Sequence, residues 1–177
     1  MPPSENPVTP FPDSYWVIPG KFLAGEYPFT KYQGEGEKKL GQLLDAGIRA
    51  IADLTFPGDA LSYVEDLVRL CNDLSIKVAY KRFAISDLGI PTIETMTTIL
   101  DWIDGWVEQN IPTYVHCLGG IGRTGTVVGC YLVRHGMASQ SALERITYLR
   151  RETPDWWYVS PETWQQKDFI LNWKISE

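Results

Sequence analysis

The stretch His116-Cys117-Leu118-Gly119-Gly120-Ile121-Gly122-Arg123-Thr124-Gly125 puts a thiol, a guanidinium, an imidazole and a hydroxyl close together. A cysteine thiolate is an effective nucleophile, and a helix N-terminus with an adjacent cation favours that form over the thiol. The planar fork of Arg123 can grip two oxygens of one phosphate, as a lysine could not. Glycines at 119, 120 and 122 let the backbone curl tightly. Backbone N–H groups that point inward from such a loop, joined to a helix start, cradle an anion. Leu118, Gly119, Gly120, Ile121, Gly122 and Arg123 would then hold the phosphate of an ester, with Cys117 facing its phosphorus. Thr124 can donate its hydroxyl to the sulfur, stabilising it as attacking and as leaving group. His116 is expected to order the loop by hydrogen bonds rather than to move protons. The plain alternative is a Gly-rich turn around a buried cysteine, which requires neither the flanking His and Thr nor the Arg.

Such a loop must hang between a strand and a helix, at the carboxyl end of a parallel sheet. Pro112–His116 reads as the strand, and a helix opening near Arg123 carries the apolar run Val127–Val133 to about Gly136. Upstream, Tyr15–Ile18 and Phe22–Ala24 flank Pro19-Gly20 and predict a hairpin. Glu35–Ala46 reads as a helix stopped at Gly47. Ile48–Leu54 reads as a buried strand, Phe56-Pro57-Gly58-Asp59 as a turn and Leu61–Leu70 as a helix. Ile76–Ile85 is strand-like. Thr92–Gln109 is the clearest helix, with Ile93, Met96, Ile99, Leu100, Ile103, Trp106 and Val107 on one face. Ser139 is placed to cap a helix through about Arg150, and a last helix runs from Pro161 to about Trp173. Alternating strands and helices predict an α/β fold: one three-layer domain over 14–177, its sheet mainly parallel and covered on both faces. Residues 1–13, rich in proline, read as an extended arm.

Expelling an alkoxide or phenoxide needs a proton donor, and hydrolysing a phosphocysteine needs a base; one carboxyl group can do both in turn. Asp87 is the best candidate, in the Gly/Pro loop Ser86-Asp87-Leu88-Gly89-Ile90-Pro91 after a strand. Asp53 is weaker, because it sits inside an apolar strand.

The loop resembles the H-C-x5-R-[ST] signature of the protein tyrosine and dual-specificity phosphatases. Its C-x-G-G-x-G-R form is most similar to the kinase-associated phosphatase group and small bacterial relatives. The likeness extends to Trp16–Pro28 and to Phe83–Pro91. It implies a phosphocysteine intermediate, no metal and no organic cofactor, with Arg123 anchoring the phosphate. The family's acid lies about 30 residues before the cysteine, where Asp87 stands. Ile85-Ser86-Asp87 replaces the Trp-Pro-Asp of the classical enzymes. Glu162–Phe169 resembles the family's glutamine loop, which would give Gln166 the task of positioning the hydrolytic water. Solvated helix surface is the competing reading of Gln166.

The formal net charge of −6 argues against a nucleic-acid binder or a protein drawn to anionic lipid. A helix dipole and one arginine act locally, where the global charge is screened within about 10 Å. No run approaches the ~20 apolar residues of a membrane span, and the N-terminus does not read as a secretory signal, so a cytoplasmic monomer is expected. Three cysteines build no disulfide framework, and they form no spaced metal site with His116 and His135. Cys71 and Cys130 read as ordinary buried residues. Trp156-Trp157-Tyr158, after Arg150-Arg151, reads as core or rim, with flanking of the pocket as the alternative. The leading expectation is a phosphatase of phosphotyrosine proteins, with phosphoserine and phosphothreonine open. An inositol-phosphate enzyme would carry more basic residues in the loop than Leu118 and Ile121. A non-catalytic binder would not need Cys117, Arg123 and Asp87 together, and a rhodanese-like sulfur carrier would not need Asp87.

Overall fold

The computed structural model describes residues 7–30 and 35–174. The elements follow in the order β1 (Ser14–Ile18), β2 (Phe22–Gly25), α1 (Glu35–Asp45), β3 (Ala50–Asp53), α2 (Val64–Asp73) and β4 (Ala79–Arg82). Then come α3 (Ile93–Val107), β5 (Thr113–His116), α4 (Gly122–Arg134), α5 (Ser139–Leu149) and α6 (Trp164–Leu171). The five strands form one sheet in the order β1-β2-β5-β3-β4. Every pairing is parallel except that of β1 with β2. The expected α/β architecture is therefore present, with β5 in the middle, where its carboxyl end carries the loop.

Side chains alternate across the sheet and divide the core in two. On one face α1 and α2 bury Leu40, Leu43, Leu44 and Leu67 against Leu23, Ile51 and Tyr114. On the other, α3–α6 bury Met96, Ile99, Val127, Ala142 and Ile170 against Phe22, Ala52 and Val115. Helices cover the sheet on both faces, and all four residues of β2, β3 and β5 are buried, the polar ones being Asp53, Thr113 and His116. Among the described residues no helix is long and apolar enough to cross a membrane.

Several boundaries depart from expectation. Strands β3 and β4 are shorter than 48–54 and 76–85. Helix α2 begins at Val64, not Leu61: Tyr27 donates its hydroxyl to the Leu61 carbonyl at 2.9 Å, and the non-helical segment before α2 delivers Tyr63 into the core. Ser139 does not cap α5 but is its first residue, after Ala138. Helix α6 starts at Trp164 rather than Pro161, because Thr163 and Gln166 close a capping box there. Ile93 lies on the predicted apolar face of α3 but is exposed. Of the expected arm, residues 1–6 lie outside the described residues; residues 7–13 form no strand or helix, and Phe11 packs its ring edge-on to Tyr114.

Helix α4 passes close to α6 because Gly129 has no side chain: a Cβ there would meet Ile170 Cδ1 at 2.3 Å. Gly129→Val should destabilise the fold by about 1–3 kcal/mol through overpacking. Chemical denaturation reads this directly, and an unchanged midpoint would show that the two helices have slack.

Candidate active site

His116 ends β5 and Cys117 is the first residue beyond it; α4 begins five residues later, at Gly122. Between them the chain turns sharply, and the turn is pinned from outside. The Tyr27 N–H donates to Leu118 O at 2.9 Å, and Ser160 Oγ donates to Ile121 O at 2.7 Å. Gly120 adopts a φ of +70°, and a Cβ on it would lie 2.5 Å from the Gly25 carbonyl carbon. Both facts require glycine there. Gly120 thus faces the end of β2. It does not line the cavity of about 210 Å³ formed by Leu118, Gly119, Ile121, Gly122 and Arg123, unlike the lining expected for it. Cys117, 3% exposed, opens onto this cavity, with Asp87 and Leu88 on one rim and Glu162 and Gln166 on the other. A larger apolar cavity of about 610 Å³ lies beside α6 but is lined by no thiol or guanidinium.

The Arg123 side chain is 2% exposed, and both of its terminal nitrogens have acceptors. Nη1 donates to Asp59 and to the Ile85 carbonyl at 2.9 Å, and Nη2 pairs with Asp87 Oδ1 at 3.1 Å. Cys117, Arg123 and Asp87 therefore meet at one cavity. Asp59 is the residue sequence reasoning missed: the turn Phe56-Pro57-Gly58-Asp59 was legible as a turn, with nothing to say what its carboxylate reaches. Burial opposes the ionisation of Asp59, but hydrogen bonds from Arg123 and the Phe56 N–H hold it below the usual carboxylate range.

His116 is buried between two partners. Nδ1 lies 3.1 Å from the Cys117 carbonyl, which can only accept, so Nδ1 carries the proton. Nε2, 2.6 Å from Tyr63 Oη, then accepts from the tyrosine hydroxyl. Burial pushes the ring below its ordinary 6.5, which keeps it neutral. The imidazole thus holds the carbonyl of Cys117 itself. Tyr63, at the foot of α2, was not legible as its partner. Asp53 does not line the cavity. It is buried beside β4 and accepts from Thr55 N and Oγ1, Tyr80 Oη and Arg82.

Gln166 is fully buried, which removes the solvated reading. Its Oε1 accepts from the N–H groups of Glu162 and Thr163, both at 3.0 Å, and its Nε2 donates to Gly89 O at 3.1 Å. One amide thereby ties the start of α6 to the loop that carries Asp87. The Thr124 hydroxyl is buried and has no hydrogen-bond partner among the described residues, so the expected bond to Cys117 sulfur is not formed.

The neutral His116 sets a pH dependence. The unfolded chain takes a proton on this ring below about 6.5 that the folded chain refuses, so stability is complete above that pH and falls below it. His116→Asn removes the titrating group. The stability gap between wild type and variant should narrow by up to about 1.4 kcal/mol per pH unit below 6.5. Denaturant melts from pH 7.5 to 5 measure this, and a constant gap would show that the ring is not held neutral.

Residues 30–137 match the family described as "Tc-R-P: Polymorphic toxin system, DSP-PTPase phosphatase". An uncharacterized protein of Methanocaldococcus jannaschii, MJ0215, is 34% identical over 89 residues, covering 50% of this chain and 51% of that protein. The dual specificity protein phosphatase CDC14AB of Danio rerio is 31% identical over 137 residues, 70% of this chain and 19% of its own length. The phosphatidylinositol 3,4,5-trisphosphate 3-phosphatase and protein-tyrosine-phosphatase PTEN1 of Arabidopsis thaliana is 27% identical over 139 residues, 77% of this chain and 32% of its own. The chain thus spans about half of the first of these relatives and a third or less of the other two. Among solved structures, Tk-PTP in its active form shares the fold with a TM-score of 0.72 at 22% identity, over 90% of this chain and 95% of that one. The family match runs through the Asp87 loop and the whole of the loop from Cys117 to Arg123, and on it the chain belongs to the DSP-PTPase phosphatases of polymorphic toxin systems, within the cysteine-dependent dual-specificity phosphatase superfamily.

Proposed function

We propose that this phosphatase hydrolyses single phosphate monoesters on proteins, phosphotyrosine first, through a phosphocysteine on Cys117. The observation that carries the reading is the meeting of Cys117, Arg123 and Asp87 around one small cavity. Cys117 Sγ attacks phosphorus as the thiolate while the ester P–O bond breaks. Asp87 gives its proton to the departing oxygen. The Asp87 carboxylate then takes a proton from water, whose oxygen attacks phosphorus; the S–P bond breaks, inorganic phosphate leaves, and the thiolate returns. Arg123 binds the equatorial oxygens through Nη2. Asp59 and the Ile85 carbonyl hold Nη1, which fixes the plane of the fork. Asp87 occupies that same Nη2 in this structure, so the arriving phosphate displaces it toward the leaving group. The Thr124 hydroxyl, unpartnered among the described residues, would have to turn to the sulfur to donate to it, a bond this structure does not contain. Gln166 spends one amide N–H on Gly89 and keeps the other for water.

The names of the relatives include protein and lipid substrates. Arg123 is the one basic side chain lining the cavity among the described residues, and Asp87 and Glu162 line it too. One phosphate suits that balance of charge; clustered inositol phosphates do not.

Cys117→Ser should abolish turnover yet keep the binding of phosphate or vanadate; a fully active purified variant would overturn the reading. Asp87→Asn should slow an alkyl or phenyl phosphate by roughly 10²–10⁴ and an activated aryl phosphate far less, since that leaving group departs without a proton. An equal loss on both substrates would make Asp87 a loop-shaping residue.

A further inference from the structure

Four consecutive large apolar residues stand in solvent: Trp156, Trp157, Tyr158 and Val159 are 60%, 63%, 57% and 62% exposed. Single exposed apolar residues are ordinary, but a contiguous group marks a contact surface. This group is rigidly scaffolded. The buried Arg150 donates Nη1 to Tyr158 O and Nη2 to Asp155 Oδ1, each at 2.8 Å. Thr153 Oγ1 bonds Arg150 O and Asp155 Oδ1, also at 2.8 Å. The rings touch in sequence, Trp156 edge-on to Trp157 with centroids 6.4 Å apart and Trp157 tilted against Tyr158 at 5.9 Å. A buried arginine therefore serves to hold in place a strip that buries little of its own apolar surface.

The strip leads directly to the phosphate cavity. Ser160, two residues after Tyr158, donates to Ile121 O in the cradling loop, and Glu162 lines the cavity itself. On the loop Leu118 is 44% exposed, and across the mouth Leu88 is 50% exposed. A phosphorylated side chain seated on Cys117 brings its neighbours with it. In an extended peptide residues one to three places away stand within roughly 10 Å of it, and Tyr158 comes only four residues before Glu162 of the cavity wall.

We propose that Trp156, Trp157 and Tyr158 form a docking surface for large apolar side chains flanking the phosphorylated residue of a protein substrate. This rests on the phosphatase reading above and names the substrate that reading left open. The charges favour a polypeptide over an anionic bilayer. The chain carries −6 overall, the Arg150 guanidinium is paired with Asp155, and Arg151 is paired with Glu152 and lies over the Tyr148 ring. Arg145 lies over the same Tyr148 ring, so among the described residues the arginines near the strip are engaged with protein groups and not gathered into the free basic cluster that an anionic membrane surface would require.

Two phosphotyrosine peptides test this, identical except for Leu and Phe or Ser and Gly beside the phosphorylated residue. Calorimetry on Cys117→Ser protein should show the apolar peptide bound about 10-fold tighter, the size expected of desolvated aromatic contacts. Adding Trp156→Ala and Trp157→Ala should bring the two affinities within about 2-fold, with the thermal midpoint checked for intact folding. Should that variant unfold, Trp156→Gln with Trp157→Gln replaces it. Equal affinities in the Cys117→Ser protein, or a preference that survives the loss of both tryptophans, would overturn the proposal. So would co-sedimentation with phosphatidylcholine vesicles that the tryptophan substitutions abolish, since the strip would then be a bilayer anchor. Turnover of phenyl phosphate by the unsubstituted protein is followed separately: its absence rejects the phosphatase reading, while the peptide preference still reads the docking surface.

Discussion

A buried guanidinium must be compensated, and how Arg123 is compensated organises the site. Its side chain is nearly inaccessible, so each N–H without an acceptor would cost free energy. Three acceptors from two segments supply the need: Asp59 after β3, and the Ile85 carbonyl and Asp87 in the loop after β4. The first two are fixed, and Asp87, its side chain 65% exposed, is the one that water can replace. One cation thus draws the carboxyl ends of β3 and β4 toward the loop after β5 and leaves Nη2 paired with the exposed partner.

The remaining polar groups hold the loop against that cation. His116 holds the Cys117 carbonyl, Tyr27 N–H holds Leu118 O and Ser160 holds Ile121 O, so three of the loop's carbonyls are turned outward to partners. Peptide planarity couples a carbonyl to the next residue's N–H, so carbonyls fixed outward bias the following N–H groups toward the cavity. Such an arrangement is locally positive in an acidic chain: fixed dipoles and one arginine act at contact distance, where the net charge of −6 is a diffuse and screened background.

What was legible in the sequence divides along range. The strand-loop-helix around Cys117, the loop carrying Asp87 and the sheet's parallel character follow from local spacing and from glycine chemistry, and the structure has all three. The long-range partners were not legible. Asp59 reads as a turn residue until the fold sets its carboxylate beside a guanidinium 64 positions later. Tyr63 sits in an apolar-looking stretch taken for helix, and its packing against His116 is what delays α2. Gln166 looks like a helix-surface residue because its position in α6 is polar, yet it caps its own helix and reaches Gly89. Gly120 was legible as a flexible link in a cradle, but the end of β2 dictates its absent side chain. In each case the deciding partner lies on another element, out of reach of any local pattern.

The central claim is that phosphorus passes through Cys117, and trapping that bond tests it most directly. Activated aryl phosphate is mixed with the Asp87→Asn protein, in which the first step keeps its good leaving group but the second lacks its base. The mixture is quenched within the first turnover, and the peptide bearing Cys117 is weighed by mass spectrometry. The account predicts a phosphoryl group on Cys117 that builds up in the variant and is scarce in the wild type. Turnover with no phosphoryl group on Cys117 in either protein, or with the label on another residue, would contradict it.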